Sequence, residues 1–230
     1  MKKHTLLFIV LLLLQGCSES GKEDANMKKE ESLTLQEQLF LATEQGDRQQ
    51  IQQLLKKGAD VNGQDAKGRT PAMIATYNAD TDTVKVLIHE GADVNIQDDM
   101  KNNPFLYAGA EGYLDILQLT IKAGADPSLT NRYGGTALIP AAEHGYTDVI
   151  KELLEKTDID VNHVNNLGWT ALLEAIILND GDVKQQETIR MLIQHGADVR
   201  IADKDGVTPL QHARKKGFKE IEEILIEAGA

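Results

Sequence analysis

Apolar residues in this chain come in two short bursts separated by polar breaks, and the pair recurs at a near-constant interval. In residues 65–95 the first burst follows Thr70-Pro71, and the second carries Val84, Leu87 and Ile88 at helical spacing. The turn Asp65-Ala66-Lys67-Gly68 precedes the first burst, and Gly91-Ala92-Asp93 closes the second. The pattern predicts a turn, a short helix, a second helix and a closing turn. The Thr-Pro step recurs as Asn103-Pro104, Thr136-Ala137, Thr170-Ala171 and Thr208-Pro209, at steps of 33, 33, 34 and 38 residues. One alanine of the first helix recurs as Ala42, Ala75, Ala108, Ala141, Ala175 and Ala213. The closing turn recurs at Gly58, Gly91, Gly124 and Gly196, and again as Gly229-Ala230. A period near 33 residues with two helices per unit marks a repeat protein.

Each recurring residue has a physical role. Proline suits the first helical turn, where its missing N–H would be unpaired anyway. The closing glycine supplies the left-handed residue that ends the second helix. The small alanine is expected to face the neighbouring repeat and let helices approach. One unit buries too little to fold alone, so the units must stack. This layout closely resembles the ankyrin-repeat family over about residues 34–230. The resemblance implies an all-α solenoid of about six helix-turn-helix repeats joined by β-hairpin-like turns. Their approximate bounds are 34–62, 63–95, 96–128, 129–162, 163–200 and 201–230.

The first repeat opens on Thr34 with Glu37 three residues on, a capping-box pattern. Leu35, Leu39 and Ala42 read as the inward stripe of its first helix, and Ile51, Leu54 and Leu55 as that of its second. Gln36, Gln38, Gln45, Gln49 and Gln52 read as a polar outer face, as a terminal repeat requires. In the last repeat Lys215, Lys219, Glu222, Glu223 and Glu227 play the same part.

The chain departs from the family pattern in three places. The histidine usual after Thr-Pro-Leu, which in the family bonds between turn and helix, is replaced by Met73, Leu106, Ile139, Leu173 and Gln211. The joint is therefore expected to rely more on apolar packing. The turn glycine seen at Gly68, Gly134, Gly168 and Gly206 is Lys101 in the third repeat. Since a side chain at positive φ is strained, that turn is expected to be remodelled. Finally, five extra residues, about Asn179 to Val183, are expected to form a loop between the helices of repeat five, where they read as a tolerated surface loop or a binding edge.

Residues 1–16 read as a signal peptide. Lys2-Lys3 begin it, and the apolar run Leu6 to Leu14 is too short to span a bilayer, which takes about 20 residues. The run ends in Leu14-Gln15-Gly16-Cys17, which resembles the lipobox of bacterial lipoproteins, although Gln15 departs from the usual residue at its position. The resemblance implies a diacylglyceryl group on Cys17 and attachment to a lipid bilayer. The alternative is an ordinary secretory signal followed by a stray cysteine. Cys17 is the only cysteine, so no intrachain disulfide can form. Residues 17–33 are almost all polar and are expected to tether the repeats with a reach of roughly 20 Å.

Charge narrows the function. The net charge is −12, and removal of residues 1–16 takes away two lysines and no acid. Such acidity argues against nucleic acid, whose phosphates need a basic footprint. No Walker loop, Gly-x-Ser-x-Gly or His-Glu-x-x-His motif is present. His89, His144, His163, His195 and His212 show no paired ligand spacing, so neither a metal nor a cofactor is implied. Asp203-Lys204-Asp205-Gly206 lacks the further ligands of a calcium loop and reads as a repeat turn.

A surface remains. In the family, turn tips and exposed first-helix faces line a concave groove where partner proteins bind. Carried over by register, the candidate partner-binding residues are Lys67, Arg69, Tyr77, Met100, Arg132, Tyr133, His144, Leu167, Trp169 and Lys204. Across all tip and groove positions, the bases Lys67, Arg69, Arg132, Lys204, Lys215 and Lys216 outnumber the acids Asp99, Glu111, Glu143 and Asp205. A net positive groove on an acidic chain, with aromatic residues, fits a protein-binding face. Trp169 reads equally as a packing residue. The chain is thus expected to be a monomeric, non-enzymatic interaction module, extracytoplasmic and lipid-anchored to a bacterial membrane. A structural spacer, or an enzyme using Asp180 and Asp182, are the other classes.

Overall fold

The computed structural model describes residues 33–230. The expected signal peptide (1–16), Cys17 and all but the last residue of the 17–33 tether lie outside the described residues. Twelve helices follow in six pairs: α1 Leu35–Gln45 and α2 Arg48–Lys56, α3 Pro71–Tyr77 and α4 Thr81–His89, α5 Pro104–Glu111 and α6 Leu114–Lys122, α7 Leu138–His144 and α8 Thr147–Lys156, α9 Ala171–Ile177 and α10 Val183–Gln194, α11 Pro209–Lys216 and α12 Lys219–Glu227. Within each pair the helices pack on one another, and first helices pack on first helices of neighbouring repeats. No described helix is long and apolar enough to cross a membrane.

Local chemistry sets the ends of these helices. Thr34, Thr70, Asn103, Thr170 and Thr208 cap first helices by accepting an N–H three residues on. Pro71, Pro104 and Pro209 occupy the first turns. The six recurring alanines are all buried. Their carbonyls have a second task. Those of Ala42, Ala75, Ala108, Ala141 and Ala213 accept the backbone N–H that leads into the second helix, from Asp47, Asp80, Tyr113, Tyr146 and Phe218, at 2.9–3.0 Å. One residue therefore fixes both the spacing between repeats and the angle inside each.

Several sequence expectations need correction. Leu35 is 39% exposed and does not join the inward stripe: it lies seven residues before the buried Ala42, whereas α3 begins with Pro71 only four before Ala75. Gln36 is not a solvated outer residue, because its amide exchanges two hydrogen bonds with the backbone of Asp60, at 3.0 and 3.1 Å. The turns are hairpin-like as expected, each closed by a backbone bond such as Asp65 N–H to Arg69 O at 3.0 Å, with no strand among the described residues. Adjacent tips also share single backbone bonds, Asp99 N–H to Lys67 O at 3.1 Å and Asn166 N–H to Tyr133 O at 2.9 Å.

The Lys101 turn is not remodelled. Lys101 adopts φ +56°, and Asp98 closes the turn as Asp65 does around Gly68. The carboxylate bonds outweigh the local strain. The five extra residues are also not all loop. From the first-helix cap to the second-helix cap repeat five gains two residues (Thr170 to Asp182, against Thr70 to Asp80), and the other three lengthen α10 to 12 residues from 9 in α4.

The turn-to-helix joint combines apolar packing with polar contacts. Met73, Leu106, Ile139 and Leu173 are buried as expected. One residue further on, however, His212 Nε2 lies 2.7 Å from Asp203 Oδ2, and Asn165 Nδ2 donates to Glu174 Oε1 at 2.7 Å. The polar joint of the family is rebuilt from shifted positions in repeats five and six.

Candidate functional site

Each tip is held by one side chain at its base. Asp65, Asp98, Asn131, Asn165 and Asp203 accept through Oδ1 from the backbone N–H groups two and four residues on, at 2.8–3.1 Å. The three residues between are thereby held outward with a fixed backbone, which limits the entropy lost when they meet a partner.

The tips join into one strip across repeats two to six. The Asp99 bond to Lys67 O links the first two. Arg132 then reaches back to Met100 Sδ at 3.2 Å, while its guanidinium lies 4.6 Å from the centre of the Tyr133 ring and bonds the Tyr133 hydroxyl. Tyr133 O receives the Asn166 N–H, and Lys204 Nζ donates to Asn166 O. Along this strip Tyr133 is 56% exposed, Leu167 54% and Met100 39%; Lys67, Arg132 and Lys204 are exposed as well. The structure therefore brings Lys67, Met100, Arg132, Tyr133, Leu167 and Lys204 together.

The other candidates are placed differently. Arg69 is half-buried, bonded to Asp65 at 2.6 Å and 3.5 Å from Glu44, so its charge is locally compensated. Trp169 is half-buried behind the tip. Tyr77 is half-buried, and its hydroxyl donates to Asp98 Oδ2 at 2.6 Å. Burial and that carboxylate push the phenol up to about 12, so it stays a donor throughout the neutral range. His144 is exposed at the end of α7, its ring 5.4 Å from that of Tyr146.

Sequence reasoning missed an aromatic row. Tyr77 and Tyr107 meet edge-on at 4.5 Å between ring centres, and Tyr113 follows at 6.3 Å. Tyr113, Tyr146 and Phe218 occupy one repeat position, the cap of the second helix. The Gly-aromatic pairs Gly112-Tyr113, Gly145-Tyr146 and Gly217-Phe218 would have revealed it by counting. Gly112 lies against the Tyr146 ring, and a methyl there would sit 3.1 Å from it. The buried Glu174 was also missed. Burial, reinforced by nearby Glu143, pushes its carboxyl up to about 7 against the opposing Asn165 bond.

No group of three or more acidic, histidine or cysteine side chains among the described residues could hold a metal ion. The geometry offers contact and hydrogen bonding.

A family model for ankyrin repeats (three copies) matches residues 3–98, 39–131 and 105–203. The chain is 56% identical over 81 residues to the ankyrin repeat protein YahD of Escherichia coli K12, a match over 35% of this chain and 40% of that protein. It thus spans about two fifths of that relative. A solved ankyrin repeat domain from Acinetobacter baumannii AYE superposes with a TM-score of 0.81 at 49% identity, over 84% of this chain and 97% of that one. The ankyrin repeat protein EF0377 gives a TM-score of 0.79 at 40% identity, over 83% and 96% respectively.

Proposed function

This chain belongs to the ankyrin-repeat family, and on that premise we propose that it is a non-enzymatic protein-binding module tied to a bacterial envelope. Ankyrin repeats imply a protein–protein interaction module. The finer reading rests on one observation above all, the continuous strip of exposed tips from Lys67 to Lys204. Its apolar members, Met100, Tyr133 and Leu167, are of the kind that gives binding energy. Lys67 and Arg132 have no acidic partner within 4 Å among the described residues, so they remain available to steer a neutral or mildly acidic protein. The partner is an exported or envelope protein, held in an inhibitor, immunity or scaffold role, and the chain acts as a monomer.

Envelope attachment rests on the Leu14-Gln15-Gly16-Cys17 motif after an apolar run. The experiment has two arms. The full chain is used as bait in detergent-solubilised envelopes, and the captured protein is mapped by cross-linking to the strip. Cys17→Ser is fractionated beside the parent; release from membranes, or retention of a longer unprocessed chain, supports the anchor. A variant that fractionates and migrates unchanged defeats it.

A further inference from the structure

At three of the five joints between closing turns an amide side chain spans the two turns; the joint at Ser128 lacks it, as does the last, where Arg200 bonds its own Asp198. Asn62 accepts from Asp93 N–H at 2.8 Å and donates to Gly91 O at 3.5 Å. Asn95 bonds Asp126 N–H and Gly124 O at 2.7 and 3.1 Å, and Asn162 bonds Asp198 N–H and Gly196 O at 2.7 and 3.0 Å. Gln36, on α1, exchanges both of its bonds with the backbone of Asp60. Between the turns of repeats three and four the position is Ser128. Its hydroxyl folds back to its own Asp126 Oδ1 at 2.6 Å and reaches nothing in the next repeat. The facing turn is Thr157-Asp158-Ile159-Asp160, which has no glycine, and Thr157 is extended at φ −133°.

A cleft of about 340 Å³ opens where the amide is missing, lined by Asp126, Ser128, Thr136, Asp158, Asp160 and His163. Thr136 is the second unusual feature. Its counterparts Thr70, Asn103, Thr170 and Thr208 cap their helices, whereas α7 starts one residue late and Thr136 caps nothing. Thr136 is only 2% exposed, and its Oγ1 has no partner among the described residues. A buried hydroxyl left unpaired is costly, of order 1–3 kcal/mol, and Thr136 lines this cleft.

We infer that this cleft receives a guanidinium group, an arginine side chain carried by a partner polypeptide. Its chemistry is that of acceptors. No basic side chain lies within 4 Å of Asp126, Asp158 or Asp160 among the described residues. His163 Nε2 lies 2.7 Å from Gly134 O. A carbonyl only accepts, so Nε2 carries a proton. Two bonds from Ser128 hold Asp126 below the usual carboxylate range, which keeps it ionised at neutral pH. The acids do not converge as metal ligands do. A planar guanidinium, with five N–H donors spread around its edge, can engage acceptors that are spread apart.

This site is separate from the tip strip and opposite in charge, so either can fail without the other. The test titrates the full chain with N-acetyl-arginine amide, with the uncharged isostere N-acetyl-citrulline amide, and with calcium chloride, following backbone amide resonances. Arginine should shift Ser128, Asp158, Asp160 and His163, and citrulline should not. Thr136→Val should keep or raise the melting temperature, because the lost hydroxyl is unpaired, yet weaken arginine binding about tenfold. Asp158→Asn should weaken it similarly without destabilising the fold, since Asp158 makes no side-chain hydrogen bond or ion pair among the described residues. Equal shifts with citrulline, saturation by calcium at lower concentration than by arginine, or unchanged affinity in both variants would each overturn the proposal.

Discussion

Asn179 Nδ2 donates to the carbonyl of Ala175 at 3.3 Å, doing with a side chain what a backbone N–H does at the equivalent alanine of the other five repeats. The same amide also bonds Glu143 O at 2.8 Å. Two residues inserted at this corner displace the usual donor, and Asn179 restores the bond. Lys216 Nζ then pins the loop from the last repeat, donating to Ile177 O and Asn179 O at 2.7 Å each. Asn179→Ala should therefore lower stability by about 1–2 kcal/mol, read as a urea midpoint shift. No shift would mean that the loop is held without it.

Glu174 gives a pH dependence whose sign is fixed. Its carboxyl is raised from an ordinary 4.5 to about 7 in the folded chain. The folded state therefore binds this proton more tightly than the unfolded chain does. The stability it contributes is full below about pH 4.5 and is lost as pH rises through about 7. Glu174→Gln mimics the protonated form. It should raise stability by about 1–3 kcal/mol at pH 8 and change little at pH 4.5, in thermal melts at the two values.

Lys101 holds a left-handed backbone at φ +56° where other repeats have glycine. Lys101→Gly relieves that strain while leaving the Asp98 bonds to Met100 and Asn102 in place. The strain, of order 1–2 kcal/mol, exceeds the extra unfolded-state freedom of glycine, about 0.4–1 kcal/mol. A gain of about 0.5–1 kcal/mol in a urea melt is expected.

Gly109 shows the opposite balance. A Cβ built there would lie 2.7 Å from the Cβ of Ala137, the residue just before α7 in the next repeat. Alanine improves helix propensity by about 1 kcal/mol, but overpacking a tight joint costs about 1–3. Gly109→Ala should therefore leave the protein no more stable than the parent and up to about 2 kcal/mol less stable by the same measurement.

The fold was legible because repetition multiplies weak signals: six alanines in register say more than any one does. The departures were less legible, since each is settled by a contact between repeats. The Lys101 turn survives because Asp98 can close it. The insertion splits between loop and helix because Asn179 and Lys216 secure the corner. For the binding face, register located the tips but not their partners. It counts Arg69 among the groove bases, yet Asp65 and Glu44 face it. It passed over Tyr113 and Tyr146, whose Gly-aromatic pairs lay outside the positions being counted.

The most direct test is the affinity of the captured partner for tip variants of the full chain, measured by calorimetry with folding checked by circular dichroism. Tyr133→Ala and Leu167→Ala should each weaken binding by at least about 1 kcal/mol. Arg132→Glu should slow association and reduce its salt dependence. Lys151→Glu, an exposed change on the second helix α8, should leave affinity within about 0.5 kcal/mol of the parent. Intact binding in both the Tyr133 and Leu167 variants, with loss in the Lys151 variant, would place the partner on the second-helix side and contradict the tip strip as the binding face.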